Sequence, residues 1–170
     1  MTLKIHYLNL DMVSAIKNNI LRKAEFSNDK KHRYKLSRHW NLNKPQVLYV
    51  MLNPSIGNEI IDDPTIRRLL SFTRKFDHGG FFVGNLFTYI SPNPKLLDTS
   101  RGLTNKNLNV LINLVQQADK VIYAWGNSID EPKELKEFIN CPMCFGKNFN
   151  GTPKHPLYLP SNSILTEFRD

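Results

Sequence analysis

Three apolar runs in this chain end on residues that can do chemistry. The run Gln46–Leu52 stops at Asn53-Pro54-Ser55, Phe81–Phe87 carries Asn85 inside it, and Lys120–Trp125 closes on Gly126-Asn127. Asparagine presents a donor and an acceptor on one planar group, which suits the edge of a nucleobase or the holding of a water. Each has a plainer reading as well. Asn53-Pro54 is common turn chemistry, and an amide buried in a strand needs partners that a structural contact also supplies. A fourth candidate, His155, sits between prolines in a late loop, where a histidine is either a structural residue or a carrier of function. Asp62-Asp63 stands just before Pro64. Asp63 there is a helix cap or, if its carboxylate turns inward, a general base, and Asp62 is its solvated neighbour. Arg67 and Arg68 fit a solvated helix face or phosphate contacts.

The elements that must position these residues follow from periodicity. Gln46–Leu52, Phe81–Phe87 and Lys120–Trp125 read as buried strands, and Tyr34–Trp40 as a short strand or hairpin leading in. The spacing predicts helices from Asp63-Pro64 through Thr73, from Asn105 onward, and from near Glu131. Apolar spacing also predicts a helix over Asp11–Glu25. Pro153, Pro156 and Pro160 rule out a regular helix near the C-terminus. Strands alternating with helices imply βαβ units and a three-layer α/β sandwich around a central, mainly parallel sheet of about four strands. In that topology the strand ends share one edge, so Asn53, Asn85 and Gly126 are expected at one crevice. A single domain over residues 1–170 is expected, with a helix and basic lead-in over 1–45 and the core over 46–170.

Composition narrows the classes. The 170 residues carry 41% hydrophobic and 22% charged side chains, as an ordinary globular chain does. No apolar run reaches the ~20 residues of a membrane helix, and the N-terminal segment lacks the order of a signal peptide, so a cytoplasmic location is expected. The net charge of +8 favours a polyanionic partner. The two cysteines, Cys141 and Cys144, cannot close a four-ligand metal site; they read as two reduced, partly buried thiols, and neither a metal nor an organic cofactor is expected.

The segments "RYKLSRHW", "VMLNPS", "DDPTIRR", "GNLFTYISPNP", "YAWG" and "GTPKHPLYL" resemble a family designated as domain of unknown function 1643, across nearly the whole chain. Their order also resembles the uracil-DNA glycosylase superfamily from about Val47 to Ile164. Leu52-Asn53-Pro54-Ser55 is similar to its first motif, Asn85 stands in the base-reading position, and His155-Pro156 matches the late motif. The residue after Pro54 is Ser55 rather than Gly or Tyr, the late motif reads His-Pro-Leu-Tyr, and the cluster cysteines of some branches are absent. The resemblance implies a monomeric DNA glycosylase that flips a base, most readily uracil, out of single- or double-stranded DNA. It places Asn53, His155 and Asp63 in catalysis, and Asn85, Pro54, Ser55, Phe72 and Phe81 around the base. Arg67, Arg68, Lys154, Tyr158, Leu159 and Ser161 would contact DNA. Two other classes stay open: a catalytically silent nucleic-acid-binding module of the same fold, and an enzyme acting on free nucleosides or nucleotides.

Overall fold

The computed structural model describes residues 12–93, 95, 97, 98 and 103–169. Among them, β1 (Met12–Lys17), β2 (Ile20–Phe26), β3 (Arg33–His39) and β4 (Gln46–Met51) precede α1 (Pro64–Lys75) and β5 (Gly80–Asn85). There follow α2 (Asn105–Gln117), β6 (Lys120–Tyr123), α3 (Lys133–Phe138), β7 (Met143–Cys144), a 3-10 turn at Pro156–Tyr158, and β8 (Thr166–Glu167). All eight strands join one sheet in the order β1-β2-β3-β5-β4-β6-β7-β8.

The segment β5-β4-β6-β7 is parallel, and β1, β2, β3 and β8 are antiparallel to their neighbours. The expected four-strand parallel core is therefore half of a larger mixed sheet. The extra strands come from the N-terminal segment, where a hairpin replaces the helix expected over residues 11–25; residue 11 itself lies outside the described residues. Asn18 and Asn19 both adopt positive φ, 53° and 58°, as the favoured two-residue hairpin turn demands. Ile20, Arg22 and Ala24 then share one buried face, a period of two that the helical spacing of the same stretch obscures.

Every residue of β4 is buried, because helices cover both faces of the sheet there. Leu48, Val50 and Leu52 pack with Leu111 and Leu114 of α2 and Leu135 of α3. Val47, Tyr49 and Met51 pack on the other side with Ile66, Leu69 and Phe72 of α1. The approach of α2 is close: a Cβ on Gly84 would meet Leu111 Cδ2 at 2.5 Å.

From β4 the chain runs through α1 to β5 on one side, then through α2 to β6 on the other. β4 thus connects outward to β5, while its other neighbour β6 connects through α3 to β7 in the opposite direction. The carboxyl ends of β4 and β6 flank the topological switch of the sheet, where open α/β folds leave a crevice. Asn53 stands two residues beyond the last residue of β4.

Candidate functional site

A cavity of about 580 Å³ opens at this switch point, a volume suited to a small organic ligand. Asn53 and Ser55 after β4, Asn85 at the end of β5, Trp125 and Gly126 after β6, Asp63 at the start of α1, and His155 all line it. The convergence expected from strand order is thus present. Gly126, three residues beyond β6, has a φ of +85°, a conformation that side-chain-bearing residues rarely adopt.

The amide of Asn53 is locked. Its Nδ2 donates to Pro54 O at 3.0 Å and Ser91 O at 2.8 Å. Two carbonyl partners fix which end of the amide is nitrogen, so Oδ1 is left as an acceptor with no protein partner among the described residues. Asp63 does two things at once. Its Oδ1 caps α1 by accepting from Ile66 N at 2.8 Å, while the residue also lines the cavity. Oδ2 has no protein donor among the described residues, and it is the atom that a Cβ on Gly57 would approach at 3.0 Å.

Asn85 is buried, and two partners hold it. From α2, Asn107 Nδ2 donates to the backbone carbonyls of Asn85 at 2.7 Å and Leu86 at 3.0 Å, which pins the end of β5. Its side-chain Oδ1 faces Arg33 Nη2 at 3.5 Å. The Nδ2 of Asn85 is then the end left for a ligand.

Arg33 is a site residue that the sequence reading passed over. It is 2% exposed, lines the cavity, donates to Gly57 O through Nη1, and leaves Nε buried without a partner among the described residues. Burial pushes its guanidinium down to about 10, against the pull of Asp63, so it stays charged at neutral pH. Its place at the start of β3, ahead of the first buried core strand, was the available signal, but it reads as part of a basic surface until the covering loop is known.

His155 accepts from Leu157 N at 3.3 Å through Nδ1, which places the ring proton on Nε2 in the neutral form. Burial lowers its affinity for a second proton, and the charge of Asp63 only partly opposes this. A neutral imidazole with a free Nε2–H is a hydrogen-bond donor that adds no charge to the resting site.

Other expected residues fall elsewhere. Phe72 and Phe81 are core side chains, not stacking platforms: Phe72 lies in the third turn of α1 against Phe145, and Phe81 is near the amino end of β5, away from the crevice. Pro54 is buried behind Asn53 and holds Ser91 N through its carbonyl. Arg68 donates to Leu159 O and to Ser161 Oγ at 3.1 Å and lies over the Phe72 ring, so it fastens the late loop to α1. This arrangement occupies Ser161 and turns Leu159 toward the core. Arg67 caps back onto Asp62 O. Lys154 is exposed and outside the cavity lining. Tyr158 does reach the mouth, 83% exposed, beside Leu157 and the exposed Ile56.

Asp62, read as a solvated neighbour, is an anchor. It receives Arg22 at 2.9 Å and Arg38 at 2.9 Å, and these contacts outweigh burial to hold its carboxyl below the ordinary range. Arg38 also donates to Asn58 O, so arginines of β2 and β3 clamp the loop that carries Ser55 to Asp62. Cys141 is exposed and Cys144 buried, both free. Among the described residues no cluster of three or more His, Cys, Asp or Glu is arranged to hold a metal, and no helix is long and apolar enough to cross a membrane.

Fold and cavity together define an α/β protein with a ligand-sized crevice at the switch point of a mixed sheet. The chain belongs to the family described as Protein of unknown function (DUF1643), whose model matches residues 33–157. No curated protein and no solved structure matches it.

Proposed function

We infer that this protein is a DNA glycosylase that hydrolyses the N-glycosidic bond of a flipped base, with uracil as the preferred base. The observation that carries this reading is the convergence of Asn53, Asp63, Asn85 and His155 on one cavity. Their free atoms are complementary. Asn53 Oδ1 accepts a hydrogen bond from the attacking water, and Asp63 Oδ2 takes its proton as the oxygen bonds to the sugar C1′. The C1′–N bond breaks with its electron pair leaving on the base. His155 Nε2–H donates to the base oxygen that gains this charge, in the manner of an oxyanion donor. Asn85 Nδ2 donates to a ring carbonyl, which favours uracil over cytosine because the latter presents an amino group at that position. A base in a duplex reaches the cavity only by flipping, at an unstacking cost of a few kcal/mol.

The test is incubation with uracil-containing DNA, single- and double-stranded, scored for abasic sites. Release is expected on at least one substrate, and Asn53→Ala and His155→Ala should each lower turnover by roughly 10²-fold with binding retained. No release on either substrate removes the assignment. DNA binding without release would mark a silent binding module. A second reading, an enzyme on free nucleotides, draws support from the buried cation of Arg33 in the cavity wall. Base release from a mononucleotide as fast as from DNA would favour it.

A further inference from the structure

Outside the cavity, residues 146–154 form a short ribbon that leads directly into His155. Lys147 pairs with Pro153 in an antiparallel bridge, Lys154 N donates to Gly146 O at 3.0 Å, and Asn148 N donates to Thr152 O at 2.7 Å. The tip is tied down further. Asn148 Nδ2 donates to Thr152 Oγ1 at 3.1 Å and to Pro153 O at 3.2 Å, and Asn150 Oδ1 accepts from Thr152 Oγ1 at 2.7 Å. Gly151 closes the turn at φ of +82°. This well-bonded tip holds Phe149 fully in solvent, at 110% relative exposure.

A ring held out on a rigid turn loses the hydrophobic gain it would have in a core, and a fold that merely needed a turn has no use for it. The position matters too. Asn150 Nδ2 lies 3.4 Å from the carbonyl of Asn127, which lines the cavity. At about 3.3 Å of rise per residue, the tip is no more than roughly 20 Å from His155. The ribbon is flanked by Lys147 and Lys154, and the cavity rim offers the exposed apolar side chains of Ile56, Leu157 and Tyr158.

We propose that Phe149 is a stacking finger for a nucleobase neighbouring the one held in the cavity, so that the ribbon reads the strand outside the site while its root delivers His155 inside. This rests on the glycosylase reading for the occupant of the cavity, but the stacking contact itself is independent of base release. The ligand class is a nucleic acid strand with unstacked or unpaired bases near the bound one. Aromatic stacking of this kind tolerates any base, because every base has a π face. It follows that the finger contributes to affinity only for ligands longer than a mononucleotide.

Phe149→Trp places an indole at the tip, in addition to Trp40 and Trp125. Titration with a single-stranded oligonucleotide should quench the added emission, and a mononucleotide should not. Phe149→Ala should weaken oligonucleotide binding by roughly 5- to 100-fold and leave mononucleotide binding unchanged. Phe149→Leu should behave like the Ala variant. Absence of quenching with parental affinity in Phe149→Ala overturns the proposal. So does full rescue by Phe149→Leu, which would show an apolar contact instead of stacking. Quenching in a protein that releases no base keeps the finger and removes the glycosylase reading. Release without quenching does the reverse.

Discussion

In the proposed reaction Asp63 would join stability and chemistry in one carboxylate, and a substitution can separate them. Asn caps a helix about as well as Asp, so Asp63→Asn should keep the thermal midpoint near that of the parent. It removes the proton acceptor, and turnover should fall by roughly 10²-fold or more. Retained turnover would place the base elsewhere. Arg33 admits a second separation, because it occupies the acceptor end of Asn85. Arg33→Met frees that amide to turn, and the preference for carbonyl-bearing over amino-bearing bases should drop at least about tenfold, with Arg33→Lys partly retaining it. Unchanged discrimination in a folded Arg33→Met variant would mean that something else orients Asn85. At this scale the sequence was informative where local punctuation announced a residue: Asn53 and Asn85 stood out at strand ends, and His155 in a loop between prolines. Arg33 did not, because a basic residue in a strand looks solvated until the loop that covers it is placed. Phe72 and Phe81 failed for the opposite reason, since ring chemistry says nothing about which end of an element a ring occupies.

At the scale of elements, the loop between β4 and α1 is shaped less by its own residues than by arginines from another part of the chain. Arg22 and Arg38 meet Asp62, and Arg33 meets Gly57. Asp62→Ala leaves two buried guanidiniums without their carboxylate, and breaking a buried pair of this kind costs roughly 3 to 5 kcal/mol. Denaturant unfolding should show that loss; a change below about 1 kcal/mol would mean that the loop holds its shape unaided. The parallel core was readable because fully covered strands are continuous apolar runs with capped helices between them. The N-terminal hairpin was not, because Met12, Ala15, Ile16, Ile20 and Leu21 satisfy a helical period while Asn18-Asn19 bends the chain back. Turn chemistry overrode periodicity there.

Across the whole molecule, the charge of +8 is presented by fewer arginine side chains than the composition suggests. Arg22, Arg33, Arg38, Arg68 and Arg169 all bind protein groups, Arg169 through Glu131. The side chains left to meet phosphate are mainly lysines. Acid sensitivity is also a property of the whole. His39, His78 and His155 are each held below the ordinary imidazole value, by burial first in every case. The unfolded chain takes up these protons near pH 6.5, and the folded chain resists them. The unfolded state therefore binds more protons as pH falls through that value, and stability is lost there. Thermal midpoints should be level above about pH 7 and decline below about 6.5, with Asp62 adding a further loss in the range of ordinary carboxylates. A midpoint that stays flat down to about pH 5 would contradict the burial of these rings.

The clasp between Arg68 and the Leu159–Ser161 segment has a consequence during synthesis. The ribosome releases β4, α1 and β5 well before His155 and the loop that Arg68 fastens. Asn53, Asp63 and Asn85 are made before that segment, and one wall of the crevice is missing until residues 155–161 emerge. A half-made protein thus carries Asn53 and Asp63 without the imidazole, and translation itself delays the moment at which the crevice is complete.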